Sequence, residues 1–302
     1  MRNHLVRRLT SLARTDEEIF LLTGDLGYGV VEEFEKEFPE QFLNSGVAEQ
    51  AMMGLAAGLA NSGYKPWVYS IANFPTFRCL EQIRNDVCYH NLDVTIVAVG
   101  SGFPYGTLGY SHFGIEDISV MRALPGMKVY SPANTLELDF VIDSCLKYGG
   151  PKYIRLDKGA RSTFERVANP SALTWAYKSI NNSKFSILTT GTILSEAIKA
   201  AKLLESQGIL VEVHSVPFVN SEALTIEMLQ NRFVVTVEEH SLHGGLFSCV
   251  AEFVATNILN TKVQGLGVNP LKLQVTGSQE YLRKIHRINA DAIYSLVCLK
   301  GN

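Results

Sequence analysis

The sequence predicts two tandem three-layer α/β domains, each built on a mostly parallel sheet. Three observations carry this expectation. Short β-branched runs recur without polar alternation, the mark of strands buried on both faces. Amphipathic stretches long enough to serve as crossover helices separate those runs. The alternation occurs twice, interrupted by one segment bearing Gly, Pro and paired Asn but little hydrophobic period. At 302 residues the chain also exceeds the usual single-domain size of roughly 100 to 150 residues.

In chain order, the basic opening MRNHLVRRLTSLARTDEE lacks the continuous apolar core of a signal peptide and reads as an amphipathic helix. Strands are expected at 19–23, 67–71, 94–99, 128–130 and 153–156, and helices at 49–61, 77–89 and 135–148. This alternation defines a first domain over 1–160, followed by a linker at 161–182. A smaller domain over 183–302 has strands expected at 185–188, 210–216, 233–237 and 263–265. Its helices are expected at 195–207, 223–229 and 245–256, with a closing helix at 281–297.

A composition of 46% hydrophobic and 19% charged residues suits a large packed core and excludes a disordered chain. The net charge of -3 supplies no broad basic field, so neither nucleic acid nor an anionic membrane surface is an expected partner. No apolar stretch approaches the roughly 18 residues of a membrane span. Five scattered cysteines, Cys79, Cys88, Cys145, Cys249 and Cys298, form no CxxC pair and point to a reducing, cytoplasmic setting. His240 and His243 invite a metal hypothesis, but no third ligand is suitably spaced and Gly244-Gly245 favours a tight turn; no metal site is expected.

Chemistry is expected in three places. Glu49 opens a helix made almost wholly of small and apolar residues. It either complements the positive helix end or, as a buried carboxyl, holds or shares a proton with a basic partner such as a heterocyclic nitrogen. On spacing alone the helix-end role is the commoner one. Gly54 and Gly58 on the same helix permit close approach of another element, such as a second subunit. Phe74 and Phe77 follow a strand through Pro75, at the sheet edge where open α/β folds bind ligands. They suit stacking on a planar heterocycle, although a Phe pair at this spacing is more often core. The glycine-rich loop over 100–117 follows a buried strand but matches neither GxGxxG nor the P-loop. Its His112 either donates to a developing oxyanion or moves a proton, or is a solvated loop residue; the sequence leaves both open.

Taken together, the segments 44–60, 75–87, 102–117, 125–134 and 238–245 resemble the transketolase family of thiamine-diphosphate enzymes over nearly the whole chain. The resemblance is to the pyrimidine-binding and carboxy-terminal domains only. The family's Gly-Asp-Gly…Asn motif, which holds magnesium and the cofactor diphosphate, has no counterpart; the sole Gly-Asp is Gly24-Asp25-Leu26. The resemblance therefore implies a split enzyme that shares thiamine diphosphate with an amino-terminal subunit carrying the diphosphate and Mg2+ site. It implies a dimer of this chain within a heterotetramer, and transfer of a two-carbon ketol unit between sugars or sugar phosphates. Glu49 matches the glutamate that hydrogen-bonds the pyrimidine nitrogen and drives deprotonation of the thiazolium carbon. Phe74, Phe77 and Arg78 fall where pyrimidine-stacking and neighbouring polar groups lie. His112, in Gly109-Tyr110-Ser111-His112, matches the histidine that contacts substrate oxygens, and Arg155 resembles the arginine that grips a sugar phosphate. Leu108 departs from the acidic residue the family usually places four before that histidine, so its sugar-hydroxyl contact is not carried over. The beta chain of a 2-oxo-acid dehydrogenase decarboxylase component shares the same two domains and is the alternative. A non-catalytic assembly subunit is a third.

Overall fold

Strands with apolar side chains on both faces need a cover on each, and the first sheet receives one. The computed structural model describes residues 1–158, 173–178 and 183–301. Six strands build the sheet: β1 (Ile19–Thr23), β2 (Phe42–Asn44), β3 (Lys65–Ile71), β4 (Thr95–Val99), β5 (Lys128–Tyr130) and β6 (Lys152–Leu156). Their order is β2-β1-β3-β4-β6-β5 and every pairing is parallel. Trp67 and Tyr69 of β3 share one apolar layer with Val97, Val99 and Ile154. Val68 points into the other, with Ile96, Ala98 and Tyr153. Period-two alternation thus divides one continuous apolar run between two cores.

The helix Arg2–Ala13 covers the first layer with Leu5, Leu9 and Ala13. The helix Glu49–Asn61 covers the second with Met52, Met53 and Ala56. Its opposite side is open: Leu55 is exposed, and a Cβ at Gly54 or Gly58 would meet no atom within 4 Å. Cys79, Cys88, Cys145 and Cys249 are buried and free, and burial pushes the Cys145 thiol up to about 12. No helix among the described residues is long and apolar enough to cross a membrane.

The second sheet comprises β7 (Trp175–Lys178), β8 (Phe185–Thr190), β9 (Val211–Ser215), β10 (Phe233–Glu238) and β11 (Lys262–Leu266), in the order β11-β10-β8-β9-β7. All its pairings are parallel except β7 with β9. β7 falls within the connection expected at 161–182, so that segment contributes an edge strand; the rest of it, 161–172 and 179–182, lies outside the described residues. Two expected helices are interrupted. Over 77–89, a helical turn at Leu80–Gln82 widens into π-helical Ile83–Cys88. The closing helix splits into Gln279–Ile285 and Ala290–Gly301. Arg287 takes a φ of 57°, and Ile288 N–H reaches back to the Arg283 carbonyl at 2.9 Å, the hydrogen bonding of a helix stop.

Polar groups join the two domains. The fully buried Glu137 sits in the first turn of Thr135–Lys147, where Asn134 accepts the Glu137 N–H at 3.0 Å. Its carboxyl accepts from Ala133 N–H at 2.7 Å, from the Tyr177 hydroxyl of β7 at 2.7 Å and from the Ser215 hydroxyl of β9 at 3.1 Å. Burial pushes this carboxyl up to about 7, against the pull of those donors. The folded state therefore holds a proton that the unfolded chain releases near 4.5. That contribution to stability is complete below the unfolded value and is lost as pH rises through the folded one. By this linkage Glu137→Gln should remove up to about 3 kcal/mol of the fall in unfolding free energy between pH 5 and 8. Urea titrations of both proteins at the two pH values measure it, and an unchanged difference would contradict the assignment.

Candidate active site at the carboxyl edge of the first sheet

β2 ends at Asn44, whose side-chain oxygen accepts the N–H groups of Asp25 at 2.9 Å and Gly46 at 3.0 Å. This ties the turn ahead of the Glu49 helix to the end of β1. Gly46 takes a φ of 68°, a conformation glycine adopts without steric cost. The helix starts at Glu49, where the unpaired backbone N–H groups favour a carboxylate. Glu49 is 5% exposed, and Arg78 Nη1 donates to its Oε1 at 3.1 Å. The same guanidinium lies over the Phe74 ring, with Cζ 4.2 Å from the centroid.

His112 arrives from the neighbouring strand. After β4 the chain turns through Gly100 and Gly102, both at positive φ, and a Cβ at Gly102 would strike the Glu239 carboxylate of the second domain. Asn73 Nδ2 then donates to the Ser111 carbonyl at 3.0 Å, joining the β3 exit to this loop. The His112 ring packs edge-on against Phe74, centroids 5.5 Å apart, and its Nδ1 lies 3.0 Å from Ser111 Oγ. A cleft of about 460 Å3 opens here, lined by Asn73, Phe74, Phe77, Arg78, Tyr110, Ser111 and Glu116. Both phenylalanines line this cleft and belong to none of the apolar cores. Burial pushes the Glu116 carboxyl up, opposed by the Tyr110 hydroxyl that donates to it at 2.9 Å.

The fold thus gathers Glu49, Phe74, Phe77, Arg78 and His112, but Arg155 serves elsewhere. It is 4% exposed on β6, with Nε donating to Asp117 at 2.9 and 3.2 Å. Its Nη2 donates to the carbonyls of Gly114 at 2.5 Å and Glu239 at 2.9 Å, and the Tyr153 hydroxyl donates to Asp117 at 2.7 Å. The guanidinium expected to grip a sugar phosphate is, in this structure, paired with buried Asp117 and links the histidine loop to the second domain. Asp117, Asn73 and Glu239 were not singled out in the sequence. Two adjacent acids, Glu116-Asp117, flanked by Ile115 and Ile118 were the available signal for the first. His240 is also buried at this junction, with Nδ1 2.6 Å from the Ser241 carbonyl.

Residues 1–162 match the transketolase pyrimidine-binding domain, and residues 176–293 the transketolase C-terminal domain. The chain belongs to the transketolase family. It is 36% identical over 298 residues to a Methanocaldococcus jannaschii protein described as a transketolase C-terminal section, covering 97% of this chain and 93% of the relative. One of the subunits of the Actinobacillus succinogenes apulose-4-phosphate transketolase is 32% identical, with 97% and 96% covered. Among solved structures, a split-gene transketolase described as an inactive beta4 tetramer superposes with a TM-score of 0.85 at 31% identity, covering 97% and 95% of the two chains. The Campylobacter jejuni transketolase shares the fold at a TM-score of 0.85 and 20% identity, and this chain spans 46% of it. The chain carries the family's pyrimidine-binding and C-terminal domains in tandem.

Removing one member of the Asp117–Arg155 pair leaves the other as an uncompensated buried charge. Asp117→Ala should lower the unfolding free energy by about 3 to 5 kcal/mol. Chemical denaturation tests this, and a loss under about 1 kcal/mol, as for an exposed pair, would rule out the clamp.

Proposed function

We propose that this transketolase chain supplies the pyrimidine half of a shared cofactor site and, with an amino-terminal partner, transfers a two-carbon ketol unit between sugars or sugar phosphates in the cytoplasm. The observation that carries the reading is the buried Glu49 carboxyl at a helix start, joined through Arg78 to the Phe74 ring that lines the cleft and against which His112 packs. Thiamine diphosphate supplies a carbon nucleophile when bound. Glu49 would hold the proton at the pyrimidine nitrogen, a role suited to a carboxyl with little access to water. Phe74 and Phe77 would stack on the ring, with Arg78 turned aside to its flank. His112 would meet substrate oxygens through Nε2, since Ser111 Oγ engages Nδ1.

The cleft suits a ring better than a diphosphate. Arg78 is the one cation among its described lining residues, it is paired with Glu49, and Glu116 adds an acid. We therefore assign the diphosphate and Mg2+ to the partner subunit. The name of the Actinobacillus succinogenes relative supports a phosphorylated sugar as substrate. The open Gly54/Gly58 face suits contact with a second copy, giving a dimer within a heterotetramer, and the beta4 assembly of the split-gene relative supports self-association.

In the complex reconstituted with partner, thiamine diphosphate, Mg2+ and a ketose donor, Glu49→Gln should lower ketol transfer by about 100-fold or more. Activity retained by Glu49→Ala would refute the role. Static light scattering of the isolated chain at micromolar concentration should give a dimer or larger assembly, and a monomer would count against the helix-face contact.

A further inference from the structure

We infer that the Arg78 side chain occupies the seat of the cofactor's aminopyrimidine, so that the heterocycle binds by displacing it. The inference rests on the pyrimidine half-site proposed above and adds a step to it. A guanidinium and an aminopyrimidine protonated at its ring nitrogen are both flat, cationic and edged with N–H donors. Arg78 uses those properties on the two groups assigned to the ring. Its edge donates to Glu49 Oε1 at 3.1 Å, and its plane carbon lies 4.2 Å from the Phe74 centroid. A ring stacked on the same face and bonded to the same oxygen would claim the same space.

The placement answers a physical need. Glu49 is almost wholly withdrawn from water, and a buried carboxylate without a counter-charge is costly. Arg78 covers it while the cofactor is absent. The side chain is 51% exposed, so its charged head can swing into water without being pulled through the core. The backbone stays in place, because Gln50 Nε2 donates to the Arg78 carbonyl at 2.9 Å from the same helix that carries Glu49. Exchange therefore requires side-chain rotation alone, and the departing cation is replaced by one of like shape.

Calorimetric titration of the full-length chain with thiamine, which carries the pyrimidine but no diphosphate, tests the displacement. A half-exposed ion pair and a cation–π contact together should weaken a competing ring by about tenfold. Arg78→Met should then bind thiamine about tenfold more tightly than the unmodified chain, with Arg78→Lys, which keeps the charge but loses the flat fork, in between. Equal or weaker binding by Arg78→Met would overturn the placeholder while leaving the half-site intact. Binding by none of the three proteins at millimolar thiamine would overturn the half-site and the placeholder with it.

Discussion

The buried pair of Asp117 and Arg155 is the constraint from which the rest of the arrangement follows. Two charges withdrawn from water gain little net free energy over an apolar filling, so such a pair is better understood as fixing geometry than as adding stability. Here it fixes three things at once. Arg155 anchors β6, reaches the Gly114 carbonyl at the end of the histidine loop, and reaches the Glu239 carbonyl in the second domain. Tyr153, two residues earlier on the same strand face, adds a donor to Asp117. An apolar replacement could fill the space, but it could not hold a loop and a domain in one register.

Position is then relayed outward by short polar links. Ser241 N–H donates to the Ile115 carbonyl at 2.7 Å, and Phe103 N–H donates to Glu239 Oε1 at 2.6 Å, so both ends of the glycine-rich loop are tied to the second domain. Arg283 and Gln279 close around the same Glu239 carboxylate. Between these fixed ends, Asn73 joins the loop to the β3 exit, and His112 comes to rest against Phe74. None of the cleft's described lining residues comes from the second domain, yet that domain holds the loop that supplies Tyr110, Ser111 and Glu116.

Strands buried on both faces were legible because nothing but a parallel sheet with two covers accounts for runs such as Thr95–Val99. β2 and β7 were not. The first is three residues with two exposed, and the second is an antiparallel edge whose register shifts after Ala176. Glu49 stood out as a lone acid in an apolar helix, and the gathering of Phe74, Phe77, Arg78 and His112 around it follows from strand ends the pattern had already located. Arg155 shows the opposite case. The family resemblance implied an anion ligand, whereas in the structure it pairs with an acid 38 residues away and also meets a carbonyl of another domain. Sequence pattern reports that a charge is buried; which opposite charge meets it depends on tertiary packing.

The helix Glu49–Asn61 shows why the proposed catalytic carboxyl and the proposed contact face fall on one element. Its buried side needs Met52, Met53 and Ala56 to seal the sheet, which keeps water from the foot of the helix where Glu49 sits. Its outer side carries Gly54, Leu55 and Gly58 and leaves backbone open to solvent, an arrangement that gains stability only when another surface covers it. Covering that face also stiffens the helix that positions the carboxyl and, through Gln50, the backbone of Arg78. On the proposed reading, contact between chains and placement of the Glu49 carboxyl are mechanically linked. In the proposed assembly the chain would bring its chemical groups already in position and a neighbour would complete their surroundings.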